Sequence, residues 1–349
     1  MRYKHFQKIL ILPDAGPQNP FQYEMIKFLR SHGFEVFIGS KRKLGSIYKA
    51  VNQFNPEIIY FDWVHSYLIG KTFLWSFIKS LFFVFEISYL CFFRKIPFIH
   101  TLHNTQNHGG FWLAWEQIFY GFFLRRCSKI RVYSETVKQE VVKKFRILSS
   151  DIYIIQDIPY HHYYLNNISE KESRAYFNIT EKDFVYLFFG KIKKYKGLEN
   201  LILAFKAVEK SGDYLLIAGE CSDRKYLSQL VKLAYGSQKI ILYDGFIAED
   251  EVQYFFNVAN VVVLPFTRID HSGSIDLAMS FAKPIITLKT GTTSDLLAYQ
   301  EYLLFENPQE LESCMALAHK INVEEIGIEN FKIVDSPSYR DLLVLFKKV

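Results

Sequence analysis

Four lysines, Lys191, Lys193, Lys194 and Lys196, fall within six residues between an apolar run and an amphipathic one. Val185 to Phe189 is apolar throughout and ends at Gly190. After the basic turn, Gly197 opens a pattern that puts Leu198, Leu201, Ile202 and Phe205 on one helical face. Cations at the end of such a strand suit an anionic ligand, because open α/β sheets bind ligands beyond the carboxyl ends of their strands. A lysine-rich turn is also what a solvated loop looks like. A second stretch favours the ligand. Val261 to Leu264 reads as a buried strand stopped by Pro265, and Ser272, Gly273 and Ser274 stand just before the helical run Ile275 to Phe281. Serine and glycine there suit an N-cap, where backbone amides and the helix dipole attract anions. Lysines from one strand end and amides from the other could grip a diphosphate.

Such residues need a doubly wound scaffold, and the chain supplies the pattern twice. In the first half, strands are expected at Ile9 to Leu12, Glu35 to Ile38, Glu57 to Phe61, Phe98 to Leu102, Ile130 to Tyr133 and Ile152 to Ile155, alternating with helical runs. That alternation implies a parallel sheet. The turn after the first strand contains Gly16, which would let the backbone approach a substrate, although a turn rich in Pro, Gly and Asn needs no function to exist. In the helix that follows, Tyr23, Ile26 and Leu29 are spaced to face inward. His103 stands at the carboxyl end of the fourth strand, where an imidazole can reach a ligand; His108 follows as a weaker candidate. Pro159 to Asn167 reads as a connection. The pattern restarts at Phe184, with Gly219 and Glu220 ending the strand Tyr214 to Ala218, and Gly245, Phe246 and Ile247 following the strand Ile240 to Tyr243. The expected domains are 1–165 and 166–335, with a terminal segment 336–349 carrying a short helix, Tyr339 to Phe346. No Gly-x-Gly-x-x-Gly or P-loop motif occurs, which argues against dinucleotide or ATP sites of those types.

At the lysine turn and the serine-glycine turn the sequence resembles a GT-B glycosyltransferase of family 4, the glycosyl transferases group 1. That family's second domain has a Gly-Arg-x-x-x-x-Lys-Gly turn, occupied here by Gly190, Lys191, Lys196 and Gly197 with lysine for arginine. Its helix reading Glu-Ala-Met-Ala-x-Gly-x-Pro is matched in part by Leu277, Ala278, Met279, Ser280, Phe281, Ala282, Lys283 and Pro284. The family's paired glutamates fall on Ile269 and Leu277, and the Ser-Gly-Ser turn is similar to a branch that lacks them. The resemblance implies an α/β GT-B fold of two Rossmann-like domains with an interdomain cleft, the terminal segment returning to the first domain.

It also implies a nucleotide-sugar donor bound as substrate, retention of configuration, no cofactor and no metal. Lys191 and Lys196 would stabilise the departing diphosphate with the amides of Ser272, Gly273 and Ser274, and His103 would orient the sugar. Gly190, Gly16 and Glu220 would line the donor, Phe246 and Ile247 would hold the base, and Asp270, beside the missing glutamate, with His271, would face the sugar. Asp276 is a second substitute for that glutamate. The expected reaction moves a hexosyl unit to a glycan or lipid-linked acceptor in surface polysaccharide assembly. Two rivals stay open: a sugar-nucleotide epimerase of the same fold, and a noncatalytic sugar-binding subunit.

The 349 residues, half of them apolar, are enough for two substantial cores. A balance of 42 basic against 36 acidic residues fits an anionic ligand or membrane surface, and is too small to argue for nucleic acid. Cys91, Cys127, Cys221 and Cys314 lack metal-ligand spacing, and no signal pattern follows Met1, so a cytoplasmic location is expected, peripheral on the inner face of the plasma membrane. Phe73 to Phe93 has the length of a membrane span. Lys79 and Glu86 lie inside it, however, and a charge at mid-bilayer costs a few kcal/mol, so a helix partly buried in the domain and partly touching the bilayer is expected instead. Arg125, Arg126, Lys129, Arg131, Lys138, Lys143, Lys144 and Arg146 would extend a lipid-facing basic surface, or form a solvated one.

Overall fold

The computed structural model describes residues 7–16, 19–39, 43–105, 112–268 and 272–347. The chain divides into two compact units, Met1–Ile158 with Ser338–Val349, and Pro159–Pro337. The second unit thus begins seven residues before the position expected from sequence. The reason is Tyr160, whose ring is buried in that unit's core and whose amide donates to Ser280 Oγ at 3.1 Å.

The first unit is built on six parallel strands: β1 (Lys8–Leu12), β2 (Glu35–Ile38), β3 (Ile58–Phe61), β4 (Phe98–Thr101), β5 (Cys127–Val132) and β6 (Ile152–Ile154). Their order is β2-β1-β3-β4-β5-β6, so the winding reverses between β1 and β3. Both faces are covered, which is why β1 and β3 read as apolar runs without alternation and why even His100 and Thr101 of β4 are buried. Helix Pro20–Ser31 buries Phe21, Met25, Ile26 and Leu29. Tyr23, expected inside, is exposed, because a start at Pro20 sets the helical phase so that positions 21, 25 and 29 line the core. The same core takes Leu342, Leu345 and Phe346 from the helix Leu342–Phe346 at the other end of the chain.

The connection from β3 to β4 carries the aromatic segment. Helix Phe73–Tyr89 continues as a wide turn, Leu90–Arg94, and leads into β4, which pairs in parallel with β3 (Ile59↔Phe98, Phe61↔His100). The helix therefore leaves and rejoins one sheet. Its two interior charges point into the domain. Lys79 Nζ donates to the carbonyls of Ser66 and Ile69. Glu86 is buried and accepts the amide of Tyr48 at 2.8 Å, capping the helix Ser46–Phe54, whose own N-cap residue is Gly45 and offers no side chain.

The second unit repeats the plan with β7 (Phe184–Phe189), β8 (Asp213–Gly219), β9 (Ile240–Asp244), β10 (Val261–Leu264), β11 (Ile285–Leu288) and β12 (Leu304–Phe305). All pair in parallel in the order β12-β11-β10-β7-β8-β9, and the winding reverses between β7 and β10. The loops that leave these two strands are the ones that a ligand at the switch point would meet.

Candidate active site

Three features of the second unit converge where β7 and β10 end. Gly190 leaves β7 with φ +134, and a Cβ built on it would lie 3.2 Å from Ser274 Oγ and 3.8 Å from Lys196 Nζ. Gly219, at the end of β8, lies against it so closely that its own Cβ would come within 2.1 Å of the Gly190 carbonyl oxygen. Only glycine fits at either place. The basic turn is stapled on both sides: the Ile192 amide donates to the Glu220 carbonyl at 2.9 Å, and the Thr267 amide and hydroxyl donate to the Tyr195 carbonyl at 3.2 and 3.1 Å. Gly197, with φ +69, opens the helix Leu198–Val208, and its missing Cβ admits the Pro265 carbonyl. The four residues Leu198, Leu201, Ile202 and Phe205 are all buried.

The lysines separate sharply. Lys191, Lys193 and Lys194 are exposed, whereas Lys196 is 8% exposed. Its ammonium lies 4.6 Å from the centre of the Phe266 ring and 5.9 Å from those of Phe188 and Tyr195. Burial pushes its pKa down to about 8, with the like charge of Lys193 acting in the same sense. A poorly solvated cation beside glycine and serine is suited to an anion, since a ligand charge would restore the electrostatics that burial removed.

The helix Gly273–Ser280 faces the same point. Ser272 is its N-cap, its hydroxyl accepting from the Ser274 amide at 3.3 Å, while the Ile275 amide donates to the Ser272 carbonyl at 2.9 Å. The expected clamp of three amides is therefore reduced: the Ser274 amide already serves the cap. The Gly273 amide and the Ser274 hydroxyl are the groups placed for an anion. Tyr160 adds a hydroxyl that sequence reasoning missed, 2.8 Å from where a Cβ on Gly273 would stand.

Glu220 is exposed at the end of β8, and Phe246 is exposed beyond β9. Ile247 is buried in the core, so its side chain serves packing and only its backbone could touch a base. Asp270 and His271 lie outside the described residues, as do Ile269 and His108.

His103 and Gly16 belong to the first unit, beyond β4 and β1. Gly16 has φ +87 with open space where a Cβ would stand, and its amide donates to Asp14 Oδ1 at 2.8 Å. His103 is held on every side. Nε2 lies 3.2 Å from Asp62 Oδ1, Nδ1 lies 3.2 Å from the Tyr133 hydroxyl, the ring stacks on Trp63 at 4.8 Å, and Phe21 meets its edge at 5.3 Å. Next to an acceptor-only carboxylate, Nε2 carries the proton and Nδ1 accepts from Tyr133. Gln22 Nε2 donates to Asp62 Oδ2 and to the Pro13 carbonyl, and Gln22 Oε1 accepts from the Ala15 amide, so the loops after β1, β3 and β4 form one network. The ring nitrogen that faces Asp62 is engaged there, and donation from it to a sugar requires that bond to be exchanged. Asp62 and Tyr133 had no signal in the sequence beyond standing at strand ends.

Two expected surface cations are internal. Arg131 is buried, its guanidinium paired with Asp157 at 2.5 Å and bonded to the Ile155 carbonyl. Lys129 donates to the carbonyls of Val344 and Lys347. Neither is available to lipid.

Comparison with known proteins agrees with this geometry. Residues 169–322 match the model of glycosyl transferases group 1, and residues 21–157 match that of glycosyltransferase family 4. An uncharacterized glycosyltransferase of Methanocaldococcus jannaschii is 24% identical over 65% of this chain and 60% of its own length, so the chain matches less than two thirds of that curated relative. Among solved structures, HepE of Anabaena in complex with UDP and glucose superimposes with a TM-score of 0.65 at 14% identity, covering 98% of this chain and 99% of its own. A sucrose-phosphate synthase from Thermosynechococcus elongatus gives 0.72 at 14%, covering 98% and 97%. With two switch-point sheets, a basic turn after β7 and both family models in register with the two units, the chain belongs to the family 4, group 1 glycosyltransferases and has the GT-B fold.

Proposed function

We propose that this chain is a glycosyltransferase that moves a hexosyl unit from a nucleotide-sugar donor to a glycan or lipid-linked acceptor, with retention, in surface polysaccharide assembly. The observation that carries the donor reading is the buried ammonium of Lys196 converging with Gly190 and Ser274 at the switch point. The structural neighbour crystallised with UDP and glucose supports the same ligand class. In this reading Lys196 takes the diphosphate while exposed Lys191 approaches from the solvent side, and the charge that develops on the leaving group meets a cation already desolvated. The Gly273 amide and Ser274 hydroxyl complete the anion's contacts. His103 is the sugar-orienting residue, its ring fixed by Trp63 and Phe21, with a sugar hydroxyl replacing Asp62 or Tyr133 as partner of one nitrogen.

The test is a panel of UDP, GDP and ADP sugars, read by thermal shift and by slow release of nucleoside diphosphate to water. One base is expected to raise the midpoint in proportion to the logarithm of its concentration and to yield its diphosphate. Absence of binding by every member to folded protein overturns the reading.

A further inference from the structure

The helix from Phe73 to Arg94 is 22 residues long and contains an 18-residue apolar stretch of which only a third is buried. With Lys79 and Glu86 turned inward, what remains outside is apolar. Leu74, Ile78, Leu81 and Phe85 follow one another at intervals of four, three and four, a single helical stripe, and Phe92 extends it by seven; Leu74 and Phe85 are each 68% exposed. Trp75 and Phe93 flank the stripe, and Ile118 of the neighbouring helix Leu113–Leu124 is 65% exposed. An exposed apolar face of this extent on one helix marks an interaction surface.

Charge decides the occupant. Lys71 precedes the helix and Arg94 and Lys95 close it, while the one acidic residue between them, Glu86, is buried. Arg126 lies over the Phe122 ring at 3.4 Å and 6.0 Å from that of Phe92 at the same end. A second copy of the chain would bring cation against cation in either helix direction. Anionic headgroups would neutralise both ends. Because the helix leaves and rejoins one parallel sheet, it cannot cross a bilayer.

We propose that this helix lies in the plane of an anionic membrane, with the Leu74, Ile78, Leu81, Phe85 and Phe92 stripe inserted among the acyl chains and Lys71, Arg94 and Lys95 at the headgroups. The attachment is principally apolar. It holds the first unit at the surface where a lipid-linked acceptor would be presented, and it stands whether or not the donor reading does.

The experiment is co-sedimentation of the full chain with vesicles of phosphatidylcholine with and without phosphatidylglycerol, together with Trp75-sensitive fluorescence. Wild type is expected to pellet with the mixed vesicles, to shift its emission to the blue, and to stay bound in about 1 M salt, where surface charges are screened. Leu81→Glu with Phe85→Glu should lower partitioning by about tenfold or more, with an unchanged thermal midpoint because both side chains point outward. Lys71→Glu with Lys95→Glu should lower binding to the anionic vesicles alone. Failure of the wild type to pellet with any vesicle overturns the proposal. So does a lipid-free dimer in sedimentation velocity that the Leu81→Glu, Phe85→Glu protein no longer forms, which would assign the face to a second copy.

Discussion

Replacing Lys196 by methionine keeps most of the stem volume and removes only the charge, and the structure fixes what each state should lose. Lys196 is 8% exposed with its ammonium among three aromatic rings, and its pKa falls from 10.5 to about 8. That depression corresponds to about 3 kcal/mol of penalty on the charged form in the folded protein. The sign follows from linkage: a lysine whose pKa is lowered by folding costs stability below about 8, and the cost disappears as pH rises past the unfolded value near 10.5. The Lys196→Met protein should therefore be more stable than wild type at pH 7, by up to about 3 kcal/mol, with the advantage vanishing at high pH. Binding should move the opposite way. A diphosphate beside the ammonium restores its pKa, so wild-type affinity should take up protons near pH 8 and weaken as pH rises above it. The methionine protein should bind roughly 30- to 150-fold more weakly, with a flat pH profile, if about two to three kcal/mol of charge recovery is lost. Urea unfolding at several pH values, and calorimetry in buffers of different ionisation enthalpy with the diphosphate selected by the donor panel, measure both. A variant that is less stable at pH 7 and binds the diphosphate as wild type does would refute the assignment.

Gly219→Ala should destabilise the second unit by about 3 kcal/mol or more, because the new Cβ would stand 2.1 Å from the Gly190 carbonyl oxygen at φ +149; thermal denaturation should fall by several degrees. Gly236→Ala, at φ +87 with open space around it, is the control and should lose only about 1 kcal/mol. Glu86→Gln tests the inward carboxylate, whose pKa burial raises to about 7 against the opposing amides of Tyr48 and Ile47. With the folded value raised, wild-type stability is highest below the unfolded pKa near 4.5 and declines as pH rises to about 7. The glutamine protein, which keeps an acceptor for the Tyr48 amide, should therefore show a stability advantage that grows between pH 5 and pH 8 in parallel melts.

The doubly wound plan was legible because its signals are local. Each strand of the second unit is a short apolar run ended by Gly, Pro or a polar turn, and Ser272 is the cap that its position before Ile275 predicts. The lysine turn could be recognised as a candidate anion site, but not which lysine is buried, since that depends on Phe266 arriving from another strand. The network around His103 joins residues 22, 62 and 133, which only the pairing of β1, β3, β4 and β5 brings together. Arg131 looked like surface charge because its counter-ion, Asp157, lies 26 residues away beyond another strand. The exposed stripe was hidden for a related reason: Lys79 and Glu86 read as membrane-averse until their partners, the Ser66 and Ile69 carbonyls and the Tyr48 amide, show that neither faces outward.

The return of the helix Leu342–Phe346 to the first unit has a consequence for synthesis. Phe346 stacks on Tyr60 at 5.7 Å and meets Phe34 at 5.8 Å, and Lys129 holds the carbonyls of Val344 and Lys347. The unit that leaves the ribosome first is thus the one whose interior is sealed last, by residues translated after the entire second unit. That second unit is one uninterrupted segment with its core residues inside it, so it can finish folding while its predecessor still lacks a wall. During that interval the nascent first unit presents the pocket meant for Leu342, Leu345 and Phe346 to solvent, and chaperone occupancy should peak there, between emergence of residue 158 and emergence of residue 346.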